Sequence, residues 1–238
     1  MSRRAIILAG GKGTRLKPYT IVLPKPLMPI GEYPILEVVV RQLVSYEFTH
    51  ITMAVNHQAD IIQAFFGDGS KWNIKIDYSL EDKPLSTMGP LRLIKDLPED
   101  FLIMNGDVLT NLNFGEFYEY HTASKNLFTI STYKREQVSE YGVLEIDNDN
   151  TLCGFKEKPV FPLDVSMGVY MANRKITDII PENTIYGFDH LMLDLIKVKT
   201  PAKVKKFDGY WLDIGRPDDY ALAIDEFEKN KEIFLKES

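Results

Sequence analysis

A chain of 238 residues, 45% hydrophobic and 26% charged, can bury a large core and has ordinary globular composition. Its net charge of −6 argues against a surface that coats nucleic acid, and Cys153, its single cysteine, excludes an intrachain disulfide or a thiolate metal cluster. No run approaches the ~20 apolar residues of a membrane span, and Arg3-Arg4 precede only five clearly apolar residues, too few for a signal peptide, so the cytoplasm is the expected compartment.

Ala5-Ile6-Ile7-Leu8-Ala9 reads as a buried parallel strand that runs straight into Gly10, Gly11 and Gly13. Glycines at a strand end let backbone N–H groups face an anion. Arg15 adds a planar fork of donors suited to phosphate, and Lys25, framed by Pro24 and Pro26, adds a compact charge. This is polyphosphate chemistry, yet neither common phosphate loop fits. Lys12 is followed by Gly13 where a P-loop needs a hydroxyl residue, and Leu16 stands where a dinucleotide fingerprint needs its third glycine.

The pattern then alternates. A helix is expected over Pro34 to Phe48, a strand over Ile51 to Asn56, a short helix over Asp60 to Phe66 and a strand over Ile74 to Leu80. Gly89 to Leu97 suggests a helix stopped by Pro98, and Phe101 to Met104 the next strand. Such a series predicts a doubly wound, mostly parallel Rossmann-like α/β sheet, with ligands beyond the carboxyl ends of its strands, where the glycine loop and Asp107 fall.

The second half is richer in strands: Leu127 to Tyr133, Val143 to Ile146, Leu152 to Phe155 and Val165 to Met171, with a turn at Asp147 to Asn150. Helical patterns follow at Lys175 to Ile180 and Phe188 to Val198, the latter offering a face for a homodimer. A strand runs into Trp211-Leu212-Asp213, and a polar helix closes the chain from Asp218. No repeat, low-complexity run or flexible linker appears, so residues 1–238 read as one domain. His50, His57, His121 and His190 show no ligand spacing, and no Ser, Cys and His combine into a nucleophile motif.

Gly10 to Arg15 with Pro24-Lys25-Pro26 resembles the signature of the sugar-1-phosphate nucleotidyltransferases. Asn105-Gly106-Asp107, Tyr141-Gly142-Val143, Glu157-Lys158-Pro159, Met167-Gly168-Val169-Tyr170 and Trp211-Leu212-Asp213-Ile214-Gly215 follow in the family's order. Many relatives continue into a left-handed β-helix of hexapeptide repeats, for which this sequence has no room. The resemblance implies attack of a sugar 1-phosphate on the α-phosphorus of an NTP, giving an NDP-sugar and pyrophosphate. It also implies a nucleotide-binding half over about residues 1–110, a sugar-binding half over 111–220 and a C-terminal helix over 218–238.

On this reading Leu8, Ala9, Gly10, Gly11, Gly13 and Thr14 hold the nucleotide, Arg15 clamps its outer phosphates and Lys25 lies by the sugar phosphate. Asp107 and Asp213 bind Mg²⁺, a hard cation that takes carboxylate and phosphate oxygens. Asp107 alone would equally suit a helix cap or a turn. Glu157 and Lys158 meet the sugar and its phosphate, with Gly142, Ser166 and Gly168 allowing close approach. Leu85 to Arg92 resembles a base-binding segment of guanylyltransferases: Gly89 keeps its glycine, Ser86 and Met88 depart from it, and Glu81 could accept from a guanine edge. GTP with mannose or heptose 1-phosphate is the expected pair. The expected partners are these small molecules, with no nucleic acid and no membrane; the alternatives are another base and sugar, a catalytically inactive sensor of nucleotide sugars, or a Rossmann-type oxidoreductase.

Overall fold

The computed structural model describes residues 3–56, 58–200 and 202–235; His57 and the last three residues of the expected C-terminal helix lie outside the described residues. In chain order the strands are β1 (Arg3–Leu8), β2 (Pro29–Ile30), β3 (Tyr33–Pro34), β4 (Phe48–Val55), β5 (Lys75–Leu80), β6 (Asp100–Asn105), β7 (Val108–Thr110), β8 (Phe128–Val138), β9 (Val143–Ile146), β10 (Leu152–Lys156), β11 (Val160–Asn173), β12 (Lys203–Phe207) and β13 (Trp211–Asp213). The helices are α1 (Ile35–Ser45), α2 (Ala59–Phe66), α3 (Phe114–Ser124), α4 (Phe188–Lys197), α5 (Pro217–Lys229) and α6 (Lys231–Phe234).

Ala5, Ile6 and Ile7 of β1 are fully buried because this strand lies inside a seven-stranded sheet ordered β12-β8-β11-β6-β1-β4-β5. Alternation along the strands divides the core. Ala5, Ile7, Leu102 and Met104 face α1, α2 and α3, whereas Ile6, Phe101 and Ile103 face Tyr170, Leu191 and Leu195 on the other side. A third cluster joins Met28, Ile35 and Leu109 to Phe227 and Phe234 of the C-terminal helices. β1 is parallel to β4 and β6, β4 to β5, and β8 to β12; only β11 runs antiparallel, between β6 and β8. The sheet is therefore mostly parallel, as the alternating pattern predicts, and the carboxyl ends of β1, β4, β5, β6 and β8 share one edge.

Some elements differ from expectation. Gly89 to Leu97 is a 3-10 segment over Gly89–Leu93, because the Met88 and Gly89 N–H groups both donate to the Tyr186 carbonyl and tie the segment to a distant loop. The helix expected over Lys175 to Ile180 is a 3-10 segment over Arg174–Asp178. α1 stops at Ser45, Phe48 belonging to β4, and the terminal helix is divided at Asn230. Besides the short strands β2, β3 and β7, two longer elements have no counterpart in the sequence reading. α3 has a ragged apolar pattern but a clear start, the Asn113 side chain accepting from the Glu116 N–H at 3.0 Å. β12 is an edge strand carrying Lys203, Lys205 and Lys206, charges that discourage pairing with another chain.

β8 and β11 run past the rest of the sheet. Their outer parts, paired from Tyr133↔Val165 to Val138↔Val160, form a two-stranded arm, and the chain between them folds as the antiparallel hairpin β9–β10. Among the described residues, no helix is long and apolar enough to cross a membrane.

Candidate active site

The glycine loop turns where β1 meets the carboxyl edge. The Ala9 N–H donates to Ala54 O at 2.8 Å, fixing the loop's start against β4. Gly13 takes φ +59°, and a Cβ there would lie 3.0 Å from Thr20 and 3.2 Å from Lys25, so the turn depends on glycine for conformation and for space. The Thr20 hydroxyl closes the turn by donating to Gly13 O at 2.7 Å. Gly11 meets nothing within 4 Å and faces open space with Thr14 and Arg15, both exposed.

Lys25 begins a 3-10 turn between Pro24 and Pro26, and its ammonium is ion-paired with Asp107. Asp107 follows β6 directly: the Gly106 N–H donates to Leu8 O at 3.1 Å, and Asp107 O accepts from the Ile214 N–H at 3.1 Å. That second bond, with the β7–β13 pairing, carries Asp213 from the far end of the sequence to Asp107. Burial pushes the Asp213 carboxyl above its usual range and the Asp107 charge pushes it the same way, while Lys25 and Arg15 oppose them. A Cβ on Gly215 would lie 3.4 Å from the Arg15 guanidinium and 3.2 Å from Asp213 Oδ2, so Arg15 rests over this glycine beside the aspartate. The four residues expected to carry the chemistry, separated by up to 198 positions in sequence (213 − 15), thus converge on one edge. The Asp107 Oδ1 atom is buried with no hydrogen-bond partner. An orphan carboxylate oxygen on a residue near enough to a second carboxylate to raise it suits a hard divalent cation.

Two cavities flank this centre. The first, about 410 Å³, is lined by Leu8, Gly10, Gly11, Lys25, Glu81 and Asp107, among others. In it Glu81 is tied down by its own N–H, which donates to Val55 O at 3.1 Å, and by Leu85, whose N–H donates to Glu81 Oε2 at 2.8 Å. Burial raises the Glu81 carboxyl and the Leu85 bond opposes the rise. Ser86, Thr87 and Pro90 line the cavity. Gly89 does not: its Cβ position is filled by Leu85 and the Thr184 carbonyl, so it serves packing.

The second cavity, about 550 Å³, holds Arg15, Ser166, Gly168, Tyr170, Trp211 and Asp213. Gly168 has φ +73°, and a Cβ there would strike the Asn105 amide at 2.6 Å; Asn105 lines both cavities. Ser166 Oγ lies 3.0 Å from Tyr170 Oη, and Trp211 Nε1 donates to Met167 O at 2.9 Å. Gly142 and Glu157 lie together on the arm, a Cβ on Gly142 falling 3.2 Å from Glu157 Oε2, and Lys158 is exposed beside them at φ +42°. None of these three lines either cavity. Sequence reasoning missed Tyr133, Arg135 and Arg216 of the second cavity; the pairing of β8 with β11, which no local motif encodes, brings the first two there, and Arg216 arrives on the turn between β13 and α5.

A doubly wound sheet with a glycine-rich anion loop and two neighbouring carboxylates at its carboxyl edge defines a class of proteins that handle nucleoside polyphosphates. The particular family follows from comparison. The chain belongs to the nucleotidyl transferase family, whose model matches residues 4–230. It is 35% identical to a mannose-1-phosphate guanyltransferase of Schizosaccharomyces pombe, over 98% of this chain and 67% of that one. It is 31% identical to a UTP–glucose-1-phosphate uridylyltransferase of Synechocystis, over 93% of this chain and 62% of that protein. The chain therefore spans about two thirds or less of the length of these relatives. Among solved structures, HddC from Yersinia pseudotuberculosis complexed with GMP-PN matches with TM-score 0.72 and 28% identity, covering 94% of this chain and 99% of that one.

Proposed function

We propose that this protein transfers a nucleoside monophosphate from an NTP to a sugar 1-phosphate, releasing pyrophosphate. The observation that carries the reading is the meeting of Lys25, Arg15, Asp107 and Asp213 beside an open glycine loop. The attacking phosphate oxygen is already anionic at neutral pH, so the site needs no general base. It must hold two polyanions together and offset charge on the leaving pyrophosphate. In this reading the loop N–H groups from Gly11 to Thr14 and the Arg15 guanidinium hold the outer phosphates, and Lys25 lies by the α-phosphate and the sugar phosphate. Asp107 and Asp213 would hold Mg²⁺, which when bound neutralises charge on phosphate oxygens.

GTP is the proposed donor. Glu81, anchored through one oxygen to Leu85, keeps acceptor capacity facing the cavity for the N–H edge of guanine. Relatives named for guanyl transfer and the GMP-PN complex of HddC support that choice. Mannose or heptose 1-phosphate is the proposed acceptor class, met by Ser166 and Gly168 and by Gly142, Glu157 and Lys158 on the arm. The cytoplasm, where nucleoside triphosphates are made, is the proposed compartment. The test is pyrophosphate release with Mg²⁺, each NTP and a panel of sugar 1-phosphates. Release with GTP and a manno-configured acceptor is expected; a well-folded protein that releases none with any pair would remove the reading.

A further inference from the structure

The hairpin β9–β10 has two unlike faces. Leu144 stands opposite Phe155 and Ile146 opposite Leu152, so these four side chains share one face, and each is more than half exposed. Glu145 and Lys156 belong to the other face, joined in an ion pair at 2.6 Å. The turned end of the hairpin is acidic: Val143 to Leu152 holds Glu145, Asp147 and Asp149 and no basic residue. Carried beyond the sheet on the β8–β11 arm, the apolar face stays bare in the single chain.

A second bare face lies on α4. Leu191 and Leu195 point into the core, whereas Leu193 and Ile196, three residues apart and so neighbours on the helix surface, are each more than half exposed, as is Val198 at the helix end. Val204 joins them from the edge strand. It pairs with Ile130, which packs on the cluster of Leu191 and Leu195, so Val204 projects to the α4 side of the sheet. This face is bordered by positive charge, because Ile196 to Lys206 holds five lysines and no acidic residue. The acids earlier in the helix are engaged, Asp189 with His190 at 3.2 Å and Asp194 as acceptor from the Tyr186 hydroxyl at 2.7 Å. Lys205 and Lys206 are taken up by the Glu116 carbonyl and by Asp164. Among the described residues, the Lys197 and Lys199 side chains have neither an ion pair nor a hydrogen bond.

We propose that the hairpin of one copy docks on the α4 face of a second copy, apolar surface against apolar surface, with the acidic turn beside Lys197 and Lys199 of the partner subunit. A second copy is the occupant because the two faces match in both apolar surface and sign of charge, and every copy presents both. Four half-exposed side chains fall well short of the ~800 Å² that each partner of a standard interface covers. A two-fold axis makes the same contact twice, each copy giving a hairpin and receiving one, so the assembly closes as a dimer. It also steadies the arm that bears Gly142, Glu157 and Lys158. The dimer goes beyond the nucleotidyl-transfer reading and does not depend on it.

Sedimentation equilibrium over a concentration series, at low and at high salt, tests the contact. The parent chain is expected to reach the mass of two chains, and to associate less tightly at high salt, where charges at the rim are screened. Leu144→Asp and Ile196→Asp should each raise the dissociation constant about tenfold or more, as loss of an interface anchor does. Asp149→Lys should also weaken association, and so should Lys197→Glu with Lys199→Glu; the three charge changes combined in one chain should recover at least part of the loss. Asp147 is left in place because its carboxylate accepts from the Asp149 and Thr151 N–H groups and holds the turn. Recovery by the combined chain also shows that the charge variants fold. A parent that stays monomeric at every concentration overturns the proposal. So does a dimer indifferent to Leu144→Asp or to Ile196→Asp, the signature of helix meeting helix or hairpin meeting hairpin, and so does a combined chain that associates no better than its component variants.

Discussion

β11 is one strand in two environments. Its inner residues Val169, Met171 and Ala172 are fully buried between β6 and β8, whereas Phe161 and Leu163 on the arm are 44% and 43% exposed. The hairpin beyond is barer still, with Leu144 and Phe155 paired across it and each more than half exposed. A two-stranded ribbon without a packed face gains little from burial. The groups proposed for chemistry, Lys25, Asp107 and Asp213, sit at the packed end, and Gly142, Glu157 and Lys158 sit on the bare end. Positioning within an ångström belongs on rigid elements, and contact with a variable sugar tolerates a thinner support.

The sharpest division should appear in kinetics. Asp107→Asn is expected to lower kcat about 10²–10³-fold, the scale for removing one preorganised charge from a transfer site. Glu157→Gln on the arm is expected mainly to raise KM for the sugar phosphate. Steady-state kinetics on both variants decide it, and turnover within a few-fold of the parent for Asp107→Asn would break the assignment. In stability the same division should separate two positions of one strand. Met171→Ala should cost about 3 kcal/mol through a cavity in the core, and Leu163→Ala under ~1 kcal/mol, as read from urea midpoints. Equal losses would mean that the arm is covered in solution. Gly168→Ala comes next, at about 1–2 kcal/mol for a left-handed residue, because its φ is +73° and its Cβ would meet Asn105. That variant should also weaken turnover, since Asn105 borders both cavities; a stability loss with unchanged kinetics would make Gly168 a purely architectural residue.

The packed end was also the legible one. β1, the glycine loop and the framed Lys25 are contiguous, so their chemistry shows in consecutive letters, and alternation alone predicts the parallel sheet. The antiparallel turn of β11 is invisible because pairing direction leaves no local trace. α3 escaped because its aromatic and charged residues make no clean apolar stripe, its one clear signal being the Asn113 cap. Gly89 shows a further ambiguity: a glycine demanded by packing against Leu85 reads the same in sequence as one that yields to a ligand. Arg135 carries no signal at all until β8 and β11 are paired and Trp211 is laid against Tyr133.

The smallest effect compares two carboxylates, one from each region. Asp77, on the sheet, accepts from the Thr52 hydroxyl at 2.5 Å and contacts His50 at 2.7 Å and Lys75 at 3.2 Å, within a network that includes the buried Arg4. Burial alone would raise its carboxyl, but the bonds from Thr52, His50 and Lys75 outweigh it and hold the group below the usual range. Glu145, on the hairpin, is also held low, by the hydrogen bond and charge of Lys156, yet it is exposed. A depressed folded pKa gives stability that is present above the unfolded value, about 3.9 for aspartate, and lost as pH falls through the lower folded value. Asp77→Asn should therefore lower stability at neutral pH and flatten its decline below about pH 4. Glu145→Gln should leave the curve unchanged at 0.15 M salt, because water and ions screen an exposed pair. Urea midpoints from pH 7 down to pH 3 provide the reading, and an equal flattening in both variants would show that the arm shields its charges as well as the sheet does.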